Sequence, residues 1–440
     1  MLLHSNLGEL TDKGRESTYA LGERLRHLYV DQLKFMPSLI SSADMMYIRA
    51  TPMPRALESV QQVFWGMYPL TARTASFPPP TIVTRTPADE VLFPNEGNCR
   101  RFAQLSRAFA QRTADRWNDT DDMKYLNKLI SKWMPASSPV VAVDSHPRLS
   151  GIMDTINSTL AHGPETRLPK EFYDEKARAI IEKIGVEEWF SGYVENKEYR
   201  MLGIGALVGD MVERMVATIE GTALTVNEIG GENGQLGRGR RGETAIKFGL
   251  SGCHDTTLAA VLSSFGAFDG ESWPPYTSHI AMELFRDPNV AASPPSGASG
   301  PESATEKRPQ ATRPGFLASM LGLSGHSPKS SSDIQTTTNP PASSGIARRP
   351  MPELSDSEKS KLKGYYVRLR YNDRVMAVPG CKKPGRHLEG DESFCTLEAF
   401  KAIADDFLPK NWKADCRKNL EEVAVKPVGE EEWAGYEPAQ

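Results

Sequence analysis

No stretch of the 440 residues approaches the ~18 consecutive apolar side chains of a membrane-spanning helix. Net charge is only −4, which gives no global attraction to nucleic acid. The five cysteines (Cys99, Cys253, Cys381, Cys395 and Cys416) include no C-x-x-C pair, so their spacing announces no metal site. Met1–Leu10 has neither a basic head nor a long apolar core and does not read as a secretory leader. The Gly-rich basic loop Arg238-Gly239-Arg240-Arg241 reads as a solvated turn. Aromatic residues nearly vanish between Asp287 and Ser360, where Phe316 stands alone among Pro, Ser, Thr and Ala. That segment cannot bury enough apolar surface to offset its ordering entropy, and a disordered insert is expected. Phe316–Leu321 within it is at most a transient local cluster.

What is present has α/β texture. Thr11 is a good N-cap for a helix running to Tyr29, with Leu21, Leu25 and Leu28 at helical spacing. A strand is expected at Met45–Arg49, a helix at Arg55–Tyr68 and a further strand at Thr81–Thr84. From Phe93 to Gly242 the pattern is helical, best at Arg200–Glu220, where Ile204, Val208, Met211, Met215 and Ile219 line one face. Strands return at Ala245–Leu250, Ile280–Phe285, Tyr365–Tyr371 and Val375–Val378. Helices are expected at Thr256–Phe265 and Thr396–Phe407. The divisions that follow are core 1–92, helical cap 93–244, core 245–286, insert 287–360, and core with C-terminal tail 361–440.

Two segments carry chemistry. Tyr47–Ser59 (Y-I-R-A-T-P-M-P-R-A-L-E-S) and Gly249–Thr257 (G-L-S-G-C-H-D-T-T) each pass from a short strand through a polar turn into a helix. Ligands collect at the carboxyl ends of strands in open α/β sheets, where helix N-termini offer free N–H groups to anions. Alone, Arg49 reads as a strand-end ion pair and His254-Asp255 as a helix cap. At two such junctions together they read as a phosphate clamp with an acid beside it.

These segments resemble the histidine acid phosphatases of the histidine phosphatase superfamily, which include lysophosphatidate-type enzymes and phytases. Gly8–Gly14 (G-E-L-T-D-K-G) with the helix after it resembles the family's G-x-L-T-x-x-G segment. V-R-L-R-Y, V-P-G-C and S-F-C-T-L within Tyr365–Leu397 provide a fourth match. The resemblance implies a three-layer α/β fold with a phosphoglycerate-mutase-like sheet under a mostly helical cap. It also implies hydrolysis of phosphate monoesters through a phosphohistidine, without metal or cofactor. By motif position, Arg49 would bind phosphate, His254 would assist it and Asp255 would protonate the leaving oxygen; Arg55 reads as structural. Disulfides Cys99–Cys416 and Cys381–Cys395 are implied as well, with five reduced thiols as the alternative. The substrate would be a small phosphorylated molecule, such as a lysophospholipid or a sugar phosphate.

The family's R-H-G-x-R-x-P motif, whose histidine is the nucleophile, occurs nowhere in the 440 residues. Arg26-His27 and Arg386-His387 are each followed by Leu, and His4 has no Arg or Pro after it, so none replaces it. The chain is therefore expected to start after the nucleophile and to lack the strand that carries it, which is central in the family's sheet. The neighbours of that strand should expose unpaired backbone groups along an apolar groove. The chain as written is expected to be inactive. Upstream sequence, if it held a targeting signal, would direct the protein to the secretory pathway or mitochondria. The alternative is a non-catalytic member that binds phosphate or a partner; phytase specificity is a variant of the enzymatic reading.

Overall fold

The computed structural model describes residues 8–221, 246–290 and 345–424. His4, the Arg238–Arg241 loop and Phe316–Leu321 lie outside them. Helix α1 (Asp12–Arg26) begins where Thr11 accepts a hydrogen bond from the Gly14 N–H at 3.1 Å, and a π-type turn at His27–Gln32 extends it. Strand β1 (Met46–Ala50) is buried along its whole length and leads into α2 (Pro54–Met67), with Pro54 in the first turn. Helices α1 and α2 cross at Gly22 and Gly66. A Cβ on Gly22 would fall 2.1 Å from the Val63 carbonyl, and one on Gly66 equally close to that of Tyr19. Only glycine lets these backbones approach so closely. The crossing seals a core of Leu21, Leu25, Val60, Val63 and Phe64 under β1.

The two-residue strand β2 (Ile82–Val83) and β3 (Phe248–Gly252) flank β1 in a parallel sheet of order β2-β1-β3. Between them in sequence lies the cap: α3 (Arg100–Trp117), α4 (Asp121–Ile130), α5 (Leu149–His162), α6 (Glu175–Glu195), α7 (Lys197–Arg200) and α8 (Ala206–Glu220). The helix expected over Arg200–Glu220 is interrupted by a π turn at Met201–Gly205. A Cβ on Gly205 would sit 2.2 Å from the Phe407 carbonyl, so the backbone passes tightly there. Of the expected apolar face, Ile204, Val208 and Met215 are buried, whereas Met211 and Ile219 are only partly covered.

After β3, α9 (Asp255–Ser264) leads to β4 (Ile280–Arg286). The chain returns with α10 (Asp356–Leu362), β5 (Tyr365–Tyr371), β6 (Arg374–Met376), β7 (His387–Leu388), β8 (Asp391–Thr396), α11 (Leu397–Asp405) and α12 (Trp412–Asp415). Strands β4 to β8 form a second, antiparallel sheet in the order β4-β5-β8-β7, with β6 paired to β5. One correction concerns the insert. Residues 345–360 share its composition but pack in short helical turns, with Ile346, Ala347 and Leu354 buried. Three apolar side chains close together recover in burial what the average composition hid.

Cys99–Cys416 and Cys381–Cys395 are both disulfides, with Cα atoms 4.7 and 5.3 Å apart. The first ties the start of the cap to α12. The edges of β3 and β4 that face away from β1 and β5 have no strand partner among the described residues. Both border one groove of ≈ 2470 Å³.

Candidate active site

The groove's polar end is built at the β3–α9 junction. Gly252 closes β3 against α2, where a Cβ would lie 2.6 Å from the Ala56 carbonyl. His254 then takes an extended conformation as N-cap, and Asp255 opens α9. Thr257 fixes the junction from beneath: its hydroxyl donates to the Leu92 carbonyl at 2.6 Å. The first turn of this ten-residue helix, the end that carries its partial positive charge, lines the groove.

His254 and Asp255 both line this groove. His254 Nε2 lies 3.1 Å from Thr51 Oγ1, just past the end of β1, and its ring meets Phe93 edge-on at 6.0 Å. Burial, aided by the nearby Arg55 charge, lowers its pKa to about 4. His254 is therefore neutral above that pH and acts by hydrogen bonding. Asp255 is held at both oxygens: Oδ1 accepts from the Thr256 N–H and Oδ2 from the Trp273 indole N–H, each at 2.8 Å. Cys253, the one free cysteine, is half-buried behind them, and burial pushes its thiol up to about 12. At neutral pH that thiol is protonated and no nucleophile.

Arg49 departs from expectation. It stands at the end of β1 but does not line the groove; its side chain is 1% exposed. Nη2 donates to Glu90 Oε1 at 2.5 Å, and Nη1 lies 3.5 Å from Asp210 Oδ2. Asp210 also pairs with Arg85 at 3.2 Å and with Arg348 at 2.7 Å, and Arg348 pairs with Glu213. Glu90 in turn accepts from the Val91 and Leu92 N–H groups. Three arginines and three acids thus balance in the interior, as buried charges require. Arg49 is withheld from the groove because two buried carboxylates already take its guanidinium.

Arg55, read from sequence as structural, reaches the groove that Arg49 does not. It projects from the first turn of α2, is exposed, and lines the groove. Its only hydrogen bond among the described residues is a long one, 3.4 Å, to the Gly8 carbonyl, and it makes no ion pair there. Arg55, His254 and Asp255 therefore share the groove, and the Arg55 charge is felt at His254. Trp273 escaped the sequence reading altogether, since nothing in a tryptophan 18 residues beyond Asp255 marks it as that residue's partner.

With this geometry in view, similarity to known proteins is informative. A model of the histidine phosphatase superfamily (branch 2) matches residues 1–306, and the chain belongs to that family. A probable acid phosphatase of Schizosaccharomyces pombe is 35% identical over 410 residues, covering 93% of this chain and 76% of that protein. Human lysophosphatidic acid phosphatase type 6 is 24% identical over 283 residues, covering 63% of this chain and 57% of the relative. Against the human protein and its mammalian counterparts, the chain thus spans less than two thirds of the relative's length. Among solved structures, Hafnia alvei phytase in complex with tartrate superposes with a TM-score of 0.53 at 11% identity, over 94% of this chain and 90% of the other. That likeness establishes the shared mixed α/β fold.

Proposed function

We propose that the chain is the phosphate-recognising body of an acid phosphatase that hydrolyses phosphate monoesters. The observation that carries this reading is the convergence of Arg55, His254 and Asp255 at the N-terminus of α9 on one groove. In the proposed pose, the α9 N–H groups and Arg55 hold the non-bridging oxygens. His254 adds a neutral hydrogen bond. Asp255 in its protonated form delivers a proton to the departing alkoxide. In the family's reaction a histidine nitrogen bonds to phosphorus as the ester oxygen leaves, and water then splits the phosphohistidine. The histidine for that step belongs to R-H-G-x-R-x-P, a run the 440 residues do not contain. We therefore expect this chain to bind the phosphoryl group without turning it over.

Charge supports a substrate with one phosphate and an apolar portion. The groove is lined by five cations (Lys13, Arg55, Arg178, Arg214 and Lys247) and six acids (Glu9, Glu16, Asp154, Glu182, Asp255 and Glu283). With no cationic surplus, a polyphosphorylated ring of the phytase type is disfavoured. Leu21, Leu25, Val60, Val63, Leu207 and Met211 line the same groove and offer it apolar surface. A lysophospholipid fits that pattern better than a sugar phosphate. Calorimetric titration with a lysophosphatidate below its micelle concentration and with inositol hexakisphosphate tests the choice. Tighter binding of the inositol compound would reverse it. Release of phosphate from an aryl ester by this chain, abolished in Asp255→Asn, would overturn the expectation of inactivity.

A further inference from the structure

Asp255 accepts a hydrogen bond from the Trp273 indole, and α6 of the cap holds both that ring and its backbone. The Trp273 ring packs on Phe190 of α6 at 4.8 Å between centroids and meets Trp189 edge-on at 6.2 Å. The Trp273 backbone N–H donates to Glu182 Oε1, also on α6, at 3.1 Å. Pro274 and Pro275 stiffen the following turn, and the Tyr276 hydroxyl reaches Asp154 of α5 at 3.2 Å. We infer that Trp273 is a positioning residue: its N–H fixes the rotation of the Asp255 carboxyl, α6 fixes the indole and α5 holds the turn that follows, so the cap sets the aim of the acid.

This inference rests on the proposed role of Asp255. An indole N–H only donates, so with the Thr256 N–H on the other oxygen each Asp255 oxygen keeps one lone pair for the proton to be delivered. Other charged or titratable groups stand close by. His254 and Arg55 lie on the core side, Glu182 and Asp154 on the cap side, with Tyr276 in the same loop and Cys253 behind.

The test needs no turnover. With ¹⁵N-labelled tryptophan, the Trp273 indole resonance is identified by its absence in Trp273→Phe and followed as the pH is lowered. The expected result is a shift that follows Asp255 protonation and is abolished in Asp255→Asn. A resonance that does not move, or one that still titrates in Asp255→Asn and so follows Glu182, overturns the contact. A second reading uses sulfate, which does not titrate over this range. Sulfate binding should depend on pH, and the midpoint of that profile should differ in Trp273→Phe. An unchanged midpoint would reduce Trp273 to packing. If sulfate does not bind at all, the anion site fails, while the indole titration still decides the contact.

Discussion

His254 has a measurable signature. Its pKa is about 4 in the folded chain and near 6.5 when exposed. Between these values the unfolded chain binds the proton that the native site refuses, so stability falls as pH drops from about 6.5 to 4 and levels off below. Denaturant melts of wild type and His254→Gln should diverge over that window, with the mutant losing about 3 kcal/mol less. Parallel pH dependences would mean that the imidazole is solvated. The motif made His254 and Asp255 legible in sequence, because a strand-to-helix junction needs only neighbouring residues. The burial of Arg49 was not legible. It is decided by Glu90 and Asp210, which the fold brings in from a loop and from the cap. The prominence of Arg55 follows from that same exclusion.

Among the elements, the strands were largely readable. Tyr365–Tyr371 falls where its alternation put it, and β4 extends only one residue past the expected end. Local period and β-branched or aromatic content suffice for such segments. The π turn at Met201–Gly205 could not be read, since it answers the close pass of the Phe407 carbonyl. The lone edge of β3 makes a prediction. Strand β1 is paired on both sides, whereas among the described residues β3 is paired only to β1. Amides of β3 that point toward the groove should exchange with solvent markedly faster than those of β1. Equal protection along both strands would mean that the edge is covered.

The whole molecule joins two sheets across a groove, with the cap tied to the C-terminal end by Cys99–Cys416. Chain-entropy arguments value a disulfide closing so long a loop at several kcal/mol, typically about 2–5. Cys99→Ser should therefore lower unfolding stability by about that amount, and reductant should add little further loss from this pair. An unchanged midpoint would show that the cap docks without the link. The family, the cap and this bridge follow the order of the motifs. The balanced interior of three arginines and three acids was not foreseeable, because it assembles residues from β1, the loop after β2, α8 and the turn at Ile346–Arg348.

The central claim is that phosphate is held at the N-terminus of α9 by Arg55. Calorimetric titration of inorganic phosphate into wild type and Arg55→Ala tests it most directly. Loss of one charge-assisted hydrogen bond, worth ~1.5–3 kcal/mol, should weaken binding by about tenfold or more while the stability of this exposed residue's variant stays near wild type. Equal affinity in the two proteins would contradict the account and return the phosphate to Arg49.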